Sequence, residues 1–101
     1  MKVNLNITYV YVINSDAKMT KGKVAAQVSH CAMQLGKDYD TLGRAIILKA
    51  PEMKLHELLA LMPDSVCIHD AGLNQVVPNT LTCVAFRRYI ANPLIKNLKL
   101  Y

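Results

Sequence analysis

The densest apolar stretch is Ile7–Ile13, ITYVYVI, where β-branched and aromatic side chains fill successive positions rather than alternate ones. That pattern predicts a central strand covered on both faces. Asn14-Ser15-Asp16 ends it with turn chemistry. From Lys21 the period changes: Val24, Val28, Cys31 and Leu35 recur at helical spacing and predict a helix to Leu35 with those residues as its buried stripe. Thr20 is the expected N-cap and Gly36 the stop. Lys37–Gly43 reads as a loop, and Ala45–Leu48 (AIIL) as a second buried strand. Pro51 opens a second helix at its first position, where a missing N–H costs nothing. Leu55, Leu58, Leu59 and Met62 form that helix's apolar face, and Pro63 closes it. Ser65–Ile68 is a third short strand, Asp70–Thr80 a turn-rich loop and Leu81–Phe86 a fourth strand. Pro93 begins a last short helix ending near Leu98.

The order β-α-β-α-β-β-α implies parallel strands joined by right-handed crossovers, with helices covering the sheet. The loop between the third and fourth strands is too short for a helix, so those two are expected to run antiparallel. The predicted fold class is α/β: a three-layer α/β/α sandwich around a mixed four-stranded sheet.

Composition supports a packed domain. The 101 residues suit one domain, 1–101, and 52% hydrophobic against 19% charged residues argues against disorder. No apolar run approaches ~20 residues, so no membrane span is expected. Met1–Asn6 lacks the apolar stretch of a signal peptide, and a cytoplasmic location is expected. Cys31, Cys67 and Cys83 are odd in number and form no C-x-x-C pair, so they read as reduced, buried small hydrophobes. Twelve Lys and Arg against seven Asp and Glu give a net charge of +5. Lys18, Lys21 and Lys23 crowd one loop and Arg87 and Arg88 adjoin, as a phosphate-tracking surface would need.

A second stripe runs beside the buried one on the first helix: Lys23, Gln27, His30 and Gln34. One residue is about 100° of helix, so this polar stripe borders the covered face instead of opposing it. Topology gives it company. Asp70 follows the third strand, and Lys23 follows the first. If those strands point the same way, both residues lie at their carboxyl ends, where open α/β sheets bind ligands. Thr82, near the start of an antiparallel fourth strand, begins at that same edge. Lys23, Gln27, Asp70 and Thr82 can therefore meet. An ordinary solvated flank and a purely structural Lys–Asp pair are the plainer alternatives. The helix start, Thr20-Lys21-Gly22-Lys23, could hold a phosphate or carboxylate.

Other candidates are weaker. Ser29 and His30 diverge on the helix and cannot act together as a dyad. His30, His56 and His69 lack metal-ligand spacing, so no metal site is expected. No dinucleotide or Walker pattern is present.

Three stretches resemble the type II peptidyl-tRNA hydrolase family of archaea and eukaryotes. Lys18–Ala32, KMTKGKVAAQVSHCA, is similar to the family's K-M-x-K-G-K-x-A-A-Q-x-S/C-H-A signature. Asp70–Thr82, DAGLNQVVPNTLT, resembles D-A-G-R-T-Q-x-x-P-G-S-x-T, and the terminal LKLY is a typical family ending. The resemblance implies hydrolysis of the ester joining a peptide to the 3′ ribose of tRNA, with no cofactor or metal. By motif position it implies Lys23, Gln27, Asp70 and Thr82 as the catalytic residues. Lys18, Lys21, His30, Gln75, Arg87 and Arg88 are the candidates for substrate binding, contacting the acceptor stem and 3′ end of peptidyl-tRNA. Leu73 and Asn74 stand where the family has Arg-Thr, removing a cation that could touch tRNA. Pro78-Asn79-Thr80 stands for Pro-Gly-Ser, and Asn tolerates left-handed geometry nearly as Gly does. Against the family pattern, the chain is trimmed in the loop after the first helix and around the second helix. The rival reading is a non-catalytic RNA- or protein-binding domain of the same fold. The apolar content allows a homodimer without fixing its interface.

Overall fold

The structure is a computed structural model that describes residues 2–70, 78–88 and 92–101. Strand β1 (Lys2–Asn14) leads to helix α1 (Lys21–Leu35), β2 (Thr41–Ala50), α2 (Glu52–Leu61), β3 (Val66–His69) and β4 (Leu81–Arg88). A single 3-10 turn, Pro93–Ile95, and a two-residue strand, β5 (Lys99–Leu100), follow. The sheet order is β3-β4-β1-β2-β5. β1 pairs with β2 in parallel, while β4 runs antiparallel to both β1 and β3. β1 and β3 therefore point the same way, and their carboxyl ends share one edge of the sheet with the start of β4.

Successive β1 residues serve opposite faces, as the unbroken apolar run requires. Val10 and Val12 join Leu48, Val84 and Phe86 beneath Leu55 and Leu58 of α2. Tyr11 and Ile13 join Cys83 and Ala85 beneath Val24, Cys31 and Leu35 of α1. This gives the three-layer α/β/α arrangement. Among the described residues, no helix is long and apolar enough to cross a membrane.

The sheet departs from expectation in three ways. It has five strands, not four, because Lys99–Leu100 adds to the β2 edge at Leu48↔Leu100 and Lys49↔Lys99. The expected closing helix to Leu98 contracts to one 3-10 turn, held at its start by Asn92, whose Oδ1 accepts from Leu94 N–H at 2.9 Å. Finally, β1 starts at Lys2 and β2 at Thr41, both earlier than their apolar cores suggest. Pairing runs Val3↔Leu42 and resumes at Thr8↔Arg44, so β1 carries an irregular insertion there. Gly43 faces it: a Cβ at that position would lie 2.5 Å from the carbonyl oxygen of Ile7. Only glycine fits so close an approach.

Candidate active site

Helix α1 supplies two of the four polar groups. Thr20 stops the helix from fraying, its Oγ1 accepting from the Lys23 N–H at 3.2 Å. Lys23 and Gln27, four residues apart, then project from one face toward the β3 and β4 side. The boundary stripe is thus covered at its first two positions: Lys23 is 15% exposed and Gln27 3%. Further along, Gln34 Nε2 donates to the Cys67 carbonyl at 3.2 Å, while His30 lies exposed.

Asp70 sits at the end of β3, inside a backbone clasp. Its N–H donates to Thr80 O at 2.8 Å, and its carbonyl accepts from the Asn79 N–H at 2.6 Å. Asn79 adopts a φ of 66°, the left-handed conformation that asparagine tolerates. Asp70 is only 5% exposed, and its Oδ1 lies 2.6 Å from Lys23 Nζ. A pair this deeply placed persists only if each charge compensates the other. Removing one partner of such a pair typically costs ~3–5 kcal/mol.

Thr82 reaches the site through a β-bulge. The β3–β4 register passes from Ile68↔Cys83 to His69↔Leu81, so β4 carries one extra residue at this point. Without the bulge, Thr82 would share the α2 face with Val84 and Phe86. The bulge turns it to α1 instead, where the fully buried hydroxyl lies 2.9 Å from Gln27 Oε1 and 3.2 Å from the Ile68 carbonyl. Re-aiming a side chain next to a site is a recurrent use of bulges.

Asn14 braces the end of β1 beside it. Its buried Nδ2 donates to Leu81 O and to Glu52 Oε1, both at 2.9 Å, and its Oδ1 accepts from the Asp16 and Ala17 N–H groups. Asp16 in turn accepts from the first N–H of α2, at Glu52. One residue thus ties the end of β1 to the bulged start of β4 and shapes the loop leading to Lys23.

The arrangement is a buried carboxylate–ammonium pair beside a buried amide–hydroxyl pair, at the carboxyl edge of the sheet. The family model described as Peptidyl-tRNA hydrolase PTH2 matches residues 7–101, which include all four side chains. The chain belongs to this family. It is 35% identical over 112 positions to a peptidyl-tRNA hydrolase of Thermococcus sibiricus, covering 90% of this chain and 94% of that protein. A peptidyl-tRNA hydrolase of Thermoplasma acidophilum is 33% identical over 92 positions, covering 74% and 79%. The mitochondrial peptidyl-tRNA hydrolase 2 of Bos taurus is 35% identical over 112 positions, 91% of this chain and 63% of that protein.

Within this member of the PTH2 family, the remaining expected residues scatter. Lys18 and Lys21 are exposed around the start of α1. Arg87 and Arg88 lie five and six residues along β4 from Thr82, roughly 17–20 Å at ~3.3 Å per residue. They also part company: the Arg87 guanidinium stacks 3.7 Å from the Tyr39 ring centroid on the α1 face, whereas Arg88 lines a cavity on the α2 face. Leu73, Asn74 and Gln75 lie outside the described residues. His56 is exposed near Glu52, and His69 is exposed at the end of β3 with Nδ1 3.8 Å from Cys67 Sγ. Among the described residues, no group of three or more His, Cys, Asp or Glu is placed to hold a metal.

The cysteines are buried or half-buried free thiols. Hydrogen bonding with Cys31 that favours the protonated thiol, then burial, pushes Cys83 far up, and burial raises Cys67. Neither is a thiolate nucleophile under ordinary conditions. Asn14 and the bulge at Thr82 were not legible in the sequence. Asn14 showed only turn chemistry, and a single inserted residue leaves no periodic signal.

Proposed function

We propose that this chain hydrolyses the ester between a peptide, or an N-blocked amino acid, and the 3′ ribose of tRNA, releasing free tRNA. Water is the nucleophile, and no covalent enzyme intermediate forms. The observation that carries this reading is the 2.6 Å Lys23–Asp70 pair beside the Gln27–Thr82 pair, on a chain of the PTH2 family.

The chemistry follows from the groups present. An ammonium has three donors. Asp70 engages one and fixes the direction of the rest, so Lys23 can meet the oxygen of the ester carbonyl as negative charge develops on it. A preorganised cation in a largely water-excluded position is worth far more there than in solution. Asp70 accepts a proton from the attacking water and returns it to the ribose 3′ oxygen as the C–O bond of the ester breaks. Gln27 and Thr82, each locked by the other, orient that water and the ribose. This scheme calls for no metal, and the reaction is expected to survive EDTA.

Recognition of the RNA runs mainly through phosphates and shape. Lys18 and Lys21 lie beside the centre, and Arg87 extends the same face toward the far end of β4. Arg88 faces away, so its contribution should be the smallest of the four. His30, exposed on the same stripe one turn beyond Gln27, and Gln75 complete the substrate-binding set.

The experiment is release of N-acetyl-aminoacyl groups from tRNA by purified protein in EDTA. Steady turnover, reduced at least a hundredfold in Lys23→Ala, is expected; losing one such donor commonly costs ~3–4 kcal/mol. Tight tRNA binding without cleavage would overturn the hydrolase reading in favour of a non-catalytic RNA-binding domain.

A further inference from the structure

A cavity of about 760 Å³ opens on the other flank of the first turn of α1, above the β1, β2 and β5 side of the sheet. Its apolar floor is Ile13, Met19 and Val24, and Lys18, Lys49 and Tyr101 stand around it. Among the described residues lining it there is no Asp or Glu. Its walls are held in place. Ser15 N–H donates to Ala50 O at 2.8 Å, closing the 14–20 loop onto the end of β2. The Tyr101 N–H donates to Ile47 O at 2.9 Å, extending the β5 pairing and setting the half-exposed ring at the mouth.

Two ammonium groups, an aromatic ring and an apolar floor match a nucleotide better than a peptide. Phosphates take the cations, and a base takes the ring and the floor. The volume falls within the ~300–1,000 Å³ of small-ligand sites. We propose that this cavity receives the 3′-terminal nucleotides of the RNA, with Lys49 and Lys18 on phosphates and Tyr101 against a base. The inference rests on the reading of the chain as a hydrolase of peptidyl-tRNA. It adds Lys49 and Tyr101, from β2 and the chain's last residue, to the substrate-binding set. The ester on the terminal ribose then lies across the first turn of α1 from the cavity, within reach of Lys23.

The test uses the trinucleotide CCA as probe, titrated into the whole chain by NMR, beside steady-state kinetics on N-acetyl-aminoacyl-tRNA. CCA should shift the amides of Met19, Val24, Lys49 and Tyr101, and should inhibit wild type competitively. Tyr101→Ala should raise KM about tenfold with kcat unchanged, while Tyr101→Phe stays near wild type, because stacking needs only the ring. Lys49→Ala should raise KM and reduce the slope of log KM against log salt by about 0.7, one single-strand phosphate contact. Both Ala variants should melt as wild type, since the Tyr101 side chain is half exposed and the β5 bonds are backbone. Wild-type KM and wild-type CCA binding in both would overturn the proposal, as would shifts at these amides with an N-acetyl peptide but not with CCA. A wild-type protein that binds CCA here yet releases no product would leave the cavity standing and remove the hydrolase reading instead.

Discussion

Lys23 and Asp70 depend on each other in two separate ways, and substitutions can separate them. Lys23→Ala leaves a 5%-exposed carboxylate without its cation, so stability should fall by about 3 kcal/mol along with activity. Asp70→Asn keeps a polar group against the ammonium and should cost less stability, while turnover still falls at least a hundredfold. Urea titration of both variants beside their kcat checks this; equal stability with equal activity loss would contradict a compensated buried pair. Thr82→Val removes only the hydroxyl, leaving Gln27 Oε1 short of a donor at a cost of ~1–3 kcal/mol. Its kcat should drop more than its KM rises. Lys23 and Gln27 were legible because a 3.6-residue period places them at the edge of the buried stripe. The direction of Thr82 was not, since strict alternation with Val84 and Phe86 points it to the wrong face.

At the scale of elements, the strands meet at two irregularities, and each has a residue that permits it. Gly43 lets β2 pass the insertion in β1. Gly43→Ala would press a Cβ to 2.5 Å from a backbone oxygen and should destabilise by more than about 2 kcal/mol in a denaturation experiment; a neutral effect would mean the strands do not approach there. Asn79, at φ 66°, closes the clasp around Asp70. Asn79→Gly should be neutral or slightly stabilising, whereas Asn79→Val should cost ~1–2 kcal/mol. The long elements, amphipathic α1 and the core of β1 that is apolar on both faces, declared themselves through period and composition. β5 could not, because two residues have no period and its pairing comes from β2. The start of β1 reads as polar because Lys2, Asn4 and Asn6 alternate with Val3 and Leu5, of which the last two stay 64% and 60% exposed.

Across the whole molecule, two bulk responses follow from charge and burial. Hydrogen bonding with Cys31 that favours the protonated form, together with burial, raises the Cys83 thiol above its ordinary 9.0, and burial raises Tyr11 above 10.0. Below pH 9 both groups are protonated whether folded or unfolded. Above it the unfolded chain releases protons that the folded chain holds, so stability should fall as pH rises. Melting temperatures between pH 8 and 11 test this, and a flat profile would contradict the buried thiol. Net charge of +5, with Lys18, Lys21 and Arg87 on the face of α1, should make KM for tRNA climb steeply with salt. Arg87→Ala should flatten that climb and Arg88→Ala should barely change it. The most direct measurement is single-turnover release of N-acetyl-aminoacyl groups from tRNA, in EDTA, by wild type and Asp70→Asn at saturating enzyme. Rapid metal-free release by wild type is expected, with at least a hundredfold slower release by a folded, tRNA-binding variant. Equal rates would show that the ester is not cleaved at the Lys23–Asp70 pair.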